Sequence, residues 1–169
     1  MDAIQAILTR RSIRKYTPET VPDELIDEIL HAAMAAPSAG NGQPWHFVVI
    51  RDRQLLDEIP HLHPYAEMAR SASVAILVCG QTGQEKHPGF WVQDCSAATQ
   101  NILLAAHALG LGAVWVGVFP REERVKGFKQ LLGIPEEITP LSLIPIGYPA
   151  ESKSPSNRYD SSRIHPNRW

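Results

Sequence analysis

The apolar residues of this chain fall into two patterns, helical stripes and short continuous runs. A stripe at Ile4, Ile7 and Leu8 predicts a short first helix. A second helix is predicted where Thr20 stands three residues before Asp23, which is the spacing of a capping box. Its apolar stripe comprises Leu25, Ile26, Ile29, Leu30, Ala33 and Met34.

Apolar runs predict four strands, at residues 46–50, 73–79, 113–119 and 141–146. The first two runs are apolar nearly throughout, so we expect both strands to be covered on two faces. A long helix is predicted over residues 93–109. A further helix follows Pro120 and ends at Gly133.

Composition narrows the classes of function. The chain has 169 residues, 44% apolar and 20% charged, which is typical of one globular domain. Its net charge of −2 gives no electrostatic reason to bind nucleic acid or an anionic membrane. No apolar run reaches transmembrane length and no signal-peptide order is present, so we expect a cytoplasmic protein. Cys79 and Cys95 fit a reducing compartment without a disulfide framework.

Two features raise the question of a partner subunit. The predicted helix over residues 93–109 is small or apolar on almost every side, and a small single domain buries such a helix poorly. After Pro149 the chain turns polar yet ends at Trp169, like an arm that docks on another surface. A dimer explains both features. A central helix within one monomer and a frayed tail explain them as well.

The first motif with candidate chemistry is RRSIRKY, residues 10–16. On a helical turn Arg10 and Arg14 would converge, and with the Ser12 hydroxyl they would form a phosphate clamp. A basic helix end that faces solvent is the alternative. The tail also carries basic residues, which fit a solvated terminus: Arg158, Arg163, His165 and Arg168.

Two further motifs are predicted to border a ligand. APSAGNGQPWHF, residues 36–47, is a loop whose neutral donors and acceptors suit a planar heterocycle with amide edges, although an ordinary long connection is the alternative. GLGAVWVGVFP, residues 110–120, runs from a strand into a helix. Backbone N–H groups exposed at such a junction can meet a ligand at the edge of the sheet.

Taken in order, these three motifs, the GYP of residues 147–149 and the terminal NRYDSSRIHPNRW resemble the nitroreductase family of FMN-dependent oxidoreductases, and the chain is similar to its short members. The resemblance implies an α+β fold, a three-layer α-β-α sandwich around a mixed central sheet. It also implies an obligate homodimer with two FMN sites at the interface. It divides the chain into an FMN-binding domain at residues 1–150 and a C-terminal arm at 151–169 that packs on the partner subunit.

The resemblance assigns the cofactor's phosphate to the basic motif and the tail. Arg10 and Ser12, with Arg11 between them, match the residues that contact the phosphate and the ribityl chain. Arg158 matches a tail arginine on the phosphate. Arg14 matches the basic residue near flavin N1 and O2, where positive charge stabilises the reduced cofactor.

The resemblance assigns the flavin ring to the other two motifs. The loop that contacts the ring from the partner subunit is matched by Pro37, Ser38, Asn41 and Gln43. Gly117 and Val118 match the backbone beside flavin N5 and O4, with Trp115 in the same motif. Arg14 and Gly117 are the candidate catalytic residues.

The chain departs from the family pattern at several places. Some members carry an acidic residue at the position of Gly117, and some carry a second basic residue at that of Ser156. An Asn and a Lys that contact the ring in larger members have no clear equivalent in residues 65–70. Residues 80–90 are also too few for the extra helices that cover the active site in larger members.

These assignments predict an enzyme that passes hydride from NADH or NADPH through flavin N5 to a small organic acceptor, such as a nitroaromatic, a quinone or free flavin, in a ping-pong scheme. The sequence has no Rossmann fingerprint and no nucleophile paired with a base, which suits a protein whose cofactor carries the chemistry. His61 and His63, on a predicted loop, are poor evidence for a metal site, and we expect none. The alternatives are a flavin storage or sensor protein with slow turnover, and a reductive dehalogenase or flavin-fragmenting enzyme on the same fold.

Overall fold

The computed structural model describes residues 1–83 and 85–169. Its α-helices are α1 (Ala3–Thr9), α2 (Asp23–Met34), α3 (Arg53–Leu62), α4 (Trp91–Ala108) and α5 (Glu122–Leu132). Its strands are β1 (Trp45–Ile50), β2 (Val74–Gln81), β3 (Gly112–Ala113), β4 (Val116–Gly117) and β5 (Ile138–Gly147). In the part of the chain described, no helix is both long and apolar enough to cross a membrane.

The strands form one sheet in the order β1-β2-β5-β3, and β4 also pairs with β5. Every pairing between these strands is antiparallel. Among the described residues, one parallel bridge joins Ser12 to Ala113 outside these strands, so the five strands themselves form an antiparallel sheet and not the mixed sheet that was expected.

Helices cover the sheet on both faces. Since alternate residues of a strand point to opposite sides, the two faces of β2 pack against different helices. One face of β2 contributes Val74, Ile76 and Val78 to a buried cluster with α2 and α4. The other face contributes Ala75, Leu77 and Cys79 to a cluster with α3 and α5. The predicted α-β-α sandwich is therefore confirmed.

Helix α3 was not predicted from the hydrophobic pattern. The Asp52 carboxylate accepts hydrogen bonds from two N–H groups of its first turn, at 2.8 and 3.2 Å. Pro60 lies inside the helix and weakens the sequence signal for it. His61 therefore lies in the last turn of α3, so its prediction as a loop residue was wrong, whereas His63 follows the helix as its C-cap in extended conformation.

Three details of the other elements also differ from the prediction. Thr20 does not cap α2, because the N-cap residue is Pro22 and it makes no side-chain cap. β1 is an edge strand, and each of its faces is only partly covered, because Trp45 and Ile50 are buried while His46 and Val49 are exposed. The strand predicted at residues 113–119 is divided into β3 and β4.

Candidate functional site

A cavity of about 550 Å³ opens beside β4, and we call it the sheet-edge cavity. It brings together three of the predicted site residues, Arg14, Trp115 and Gly117. The lining also includes His63, Pro64, Tyr65, Glu67, Met68, Val114, Val116 and Arg124. Val118 is not among them, because it is fully buried.

The backbone at Gly117 faces the open side of this cavity. Gly117 is exposed, and a Cβ placed on it would meet no heavy atom within 4 Å. The Val118 N–H donates to the Leu141 carbonyl at 3.0 Å. Because hydrogen-bonded pairs alternate along an antiparallel ladder, the N–H and C=O of Gly117 point away from β5.

Two side chains donate to the Gly117 carbonyl from the other direction. His63 Nε2 lies 2.8 Å from this oxygen and Arg124 Nη1 lies 3.1 Å from it. His63 Nδ1 accepts from the Tyr65 N–H at 3.2 Å, so the ring is the neutral tautomer with its proton on Nε2. Burial lowers the His63 pKa, the hydrogen bond to Gly117 raises it, and the charge of Arg124 lowers it further.

Neither His63 nor Arg124 was predicted as a site residue. Asp52 is a recognisable N-cap, and that signal would have predicted the helix that His63 directly follows. Within residues 1–83 and 85–169, no three His, Cys, Asp or Glu side chains are grouped as ligands for a metal.

A second cavity, of about 440 Å³, lies between the end of α1 and the tail, and we call it the arginine cavity. Arg10, Arg11 and Arg158 all line it. Burial lowers the pKa of Arg10, and the charges of Arg11 and Arg158 lower it further. Three guanidinium groups that repel one another in one cavity suit an anionic group.

Arg11 joins the tail to the end of α1. Its Nε donates to the Ser154 carbonyl at 3.0 Å, and its Nη1 donates to the carbonyls of Arg10 at 2.6 Å and Leu8 at 3.2 Å. Its Nη2 is buried and has no hydrogen-bond partner among the described residues. A buried donor without a partner is costly, so a ligand that accepts from it would stabilise the site.

The two cavities are connected by an extended segment, not by a helical turn. α1 ends at Thr9, and Ser12 forms a bridge with Ala113. Lys153 Nζ donates to the Ser12 carbonyl at 2.7 Å and so holds the tail beside this segment. The prediction that Arg10 and Arg14 converge on one helical face was therefore wrong, because they line different cavities.

The loop predicted to contact a planar ring has an unusual backbone. Asn41 and Gln43 both have positive φ, at 55° and 48°, which non-glycine residues seldom adopt. Ser38 Oγ accepts from the Gln43 N–H at 3.0 Å, and Gln43 Nε2 donates to Asn41 Oδ1 at 3.0 Å. Backbone strain held in place in this way is typical of functional loops.

Contacts from outside this loop hold it in position. Asp94, in the first turn of α4, accepts from the Ala39 N–H at 3.0 Å, and Lys86 Nζ donates to the Gly40 carbonyl at 3.0 Å. The predicted loop residues Pro37, Ser38, Asn41 and Gln43 line neither the sheet-edge cavity nor the arginine cavity. One chain therefore does not bring this loop together with the arginines and Gly117.

Comparison with known proteins identifies the family. The model of the nitroreductase family matches residues 7–64 and 60–148. A candidate NADH dehydrogenase/NAD(P)H nitroreductase of Methanothermobacter thermautotrophicus is 58% identical over all of this chain and 88% of its own length. The crystal structure of a protein of the same description from Bacteroides thetaiotaomicron superposes with a TM-score of 0.95 at 44% identity, covering 99% of this chain and 98% of that one.

A third relative was crystallised with a ligand. A candidate nitroreductase from Desulfovibrio desulfuricans, solved in complex with FMN, has a TM-score of 0.85 and 37% identity, covering 100% of this chain and 99% of that one. The sequence match over most of the chain and these structural similarities agree: this protein belongs to the nitroreductase family.

Proposed function

We propose that this protein is an FMN-dependent oxidoreductase that uses NADH or NADPH to reduce a small organic acceptor. The observation that carries the proposal is the arginine cavity, in which Arg10, Arg11 and Arg158 meet without an anionic partner among the residues that line it. The extended segment from Arg10 to Arg14 leads from this cavity to the open backbone at Gly117. A phosphate at one end and a flat ring at the other match the shape of FMN.

The phosphate end fits the residues that are present. A phosphate relieves the repulsion between Arg10, Arg11 and Arg158, and it supplies an acceptor for the unpartnered Nη2 of Arg11. Guanidinium groups recognise phosphate by paired, charge-assisted hydrogen bonds. Ser12 lies next in the segment, where its hydroxyl would contact the ribityl chain.

The sheet-edge cavity fits a flat ring that approaches the backbone of Gly117 closely. Gly117 presents no side chain, so a ring can lie against its outward N–H. Arg14 lies in the same cavity and would place positive charge beside N1 and O2. Val118 shapes the strand but has no free N–H to offer, because that group is bonded to Leu141. Bound FMN supplies the hydride-transfer chemistry, and these residues bind and orient it.

The complete site is proposed to include a second copy of the chain. The loop with Pro37, Ser38, Asn41 and Gln43 would reach the ring from the partner subunit of a homodimer. Two apolar surfaces are free to form the interface: the α1 face with Ile4, Ile7 and Leu8, each more than half exposed, and the fully exposed Trp169. Residues 151–169 would then act as the arm that packs on the partner.

Anaerobic mixing tests the proposed activity in its two halves. NADH or NADPH added to the FMN-loaded protein should bleach the flavin absorbance, and a nitroaromatic, a quinone or free flavin should restore it. If the nucleotide and the acceptor use the open face at Gly117 in turn, the scheme is ping-pong. Double-reciprocal plots of the steady-state rate against nucleotide concentration, at several acceptor concentrations, should then give parallel lines. If neither NADH nor NADPH reduces the bound flavin, or if reduction takes far longer than enzymes usually need for one turnover, the protein is not this oxidoreductase. That result would favour the storage or sensor protein.

A further inference from the structure

We propose that His63 is a positioning residue which, together with Arg124, holds the Gly117 peptide in the orientation that the flavin site requires. The inference rests on the proposed function, because it takes FMN to lie beside Gly117. Sequence resemblance assigns no role to either side chain.

The Gly117–Val118 peptide is bonded at each of its polar atoms, and this fixes the glycine whose own N–H, on the preceding peptide, is proposed to face the ring. Its carbonyl oxygen has two lone pairs and accepts from both His63 and Arg124, at 2.8 and 3.1 Å. Its N–H donates to the Leu141 carbonyl. Glycine has more backbone freedom than any other residue, so a glycine that must present its backbone to a ligand needs such constraints.

The buried donor is the stronger of the two constraints. His63 is 2% exposed, and both of its ring nitrogens are hydrogen-bonded, so its orientation is fixed. Arg124 is more exposed, and its guanidinium also lies 5.9 Å from the centre of the Tyr65 ring. Hydrogen bonds at buried positions contribute more, because solvent does not compete for the donor.

The pair also connects three parts of the fold at one glycine. His63 comes from the end of α3, Arg124 from the first turn of α5, and Gly117 from β4. Some members of the family carry an acidic side chain at the position of Gly117. This chain has no side chain at that position, and its backbone is held by the two carbonyl contacts.

The test compares His63→Leu, which removes the donor, with His63→Gln, whose amide can donate from nearly the same place. His61→Leu is the matched control, because His61 lies two residues before His63 and its side chain contacts Arg70 rather than Gly117. For each variant, FMN affinity is measured by quenching of flavin fluorescence, and kcat and KM for NAD(P)H are measured per bound FMN.

We expect His63→Leu to weaken FMN binding by about 3- to 10-fold, the scale of one lost hydrogen bond. Its kcat per bound FMN should fall while KM for NAD(P)H changes little. His63→Gln should recover most of both losses, and His61→Leu should behave as wild type. If His63 had only a structural role, its replacement by leucine would lower the free energy of unfolding but leave FMN affinity and kcat per bound FMN unchanged. That result would overturn the inference.

A double-mutant cycle keeps the test decisive if His63→Leu does not fold. Arg124→Met changes a more exposed side chain, and it is combined with His63→Asn, whose shorter amide can still accept from the Tyr65 N–H but does not reach the Gly117 carbonyl. The cycle asks whether the two donors act through the same carbonyl. Non-additive effects on FMN affinity support the inference, and strictly additive effects refute it. Failure of the wild-type protein to bind FMN would instead refute the proposed function.

Discussion

At the scale of single residues, the proposed site depends on one glycine and a group of arginines. Motif resemblance located Arg10, Arg14 and Gly117 in the sequence. It did not locate His63, because this histidine is 54 positions from Gly117 in sequence and carries no motif of its own. Which donor meets which carbonyl is decided by packing, and no local pattern predicts it.

The absence of a side chain at Gly117 is predicted to matter for the cofactor and not for the fold. Gly117→Ala adds a methyl group where no protein atom lies within 4 Å, so the free energy of unfolding should change by less than about 0.5 kcal/mol. FMN binding should weaken by about 1–3 kcal/mol, the usual cost of a methyl group forced into a packed contact.

The matched control for this substitution is Gly133→Ala, which should show the opposite pattern. Gly133 ends α5 with a φ of 63°, a conformation that costs an alanine about 1 kcal/mol. Urea unfolding and FMN titration of both variants separate the two effects. Unchanged FMN affinity in Gly117→Ala would place the ring elsewhere.

Arg10 is predicted to recognise the phosphate. Arg10→Ala should weaken FMN binding by about 1.5–3 kcal/mol, the scale of a hydrogen bond to a charged group. Riboflavin, which lacks the phosphate, should be little affected. Arg163→Ala is the control, because Arg163 is paired with Asp160 on the exposed tail and does not line the arginine cavity. Equal losses for FMN and riboflavin would show that Arg10 does not bind the phosphate.

At the scale of elements, the apolar pattern predicted the helices with long stripes and the strands, within a few residues. It did not predict α3, because Pro60 interrupts a short amphipathic stretch. It predicted one strand at residues 113–119, where the chain forms β3 and β4. Two short strands that pair with different parts of β5 share one apolar run, so the division depends on tertiary pairing and is not visible in composition.

Helix α4 is predicted to support the loop at residues 37–43 through Asp94. Asp94→Ala removes the acceptor for the Ala39 N–H and should cost about 1 kcal/mol of stability. Because the same loop is proposed to contact FMN, the affinity for FMN should fall as well, and backbone amides of the loop should exchange faster with deuterium.

Asp52→Ala is the matched control for the support of the loop. Asp52 also caps a segment, the N-terminus of α3, so its loss should cost about 0.5–2 kcal/mol of stability. It should change FMN affinity much less than Asp94→Ala does, because Asp52 caps the end of α3 opposite His63. If both substitutions lower FMN affinity equally, the effect of Asp94 is general destabilisation rather than support of the loop.

At the scale of the whole molecule, one chain holds two of the three parts of the proposed site. The arginine cavity and the sheet-edge cavity belong to one subunit, while the loop at residues 37–43 lies at a different place on its surface. The sequence alone left a dimer and a monomer equally open, and only the family resemblance favoured the dimer. Residues 155–169 are exposed throughout in the single chain, as expected of an arm whose binding surface lies on a partner.

A shared site predicts complementation between two defective chains. Arg10→Ala and Asn41→Ala homodimers should both lack FMN at a low flavin concentration. After subunit exchange, about half of the dimers are mixed, and each mixed dimer regains one complete site of two. Activity should therefore recover to about a quarter of the wild-type value. Exchange proven with an affinity tag but without recovered activity would show that both residues serve the same subunit's site.

The most direct measurement is the flavin content of the purified protein, from its visible absorption spectrum and from the flavin released on denaturation. We predict a yellow protein that releases FMN, and not riboflavin or FAD, at about one FMN per chain, because a symmetric dimer has two equivalent sites. A colourless protein that cannot be reconstituted with added FMN would contradict the proposed function at its base.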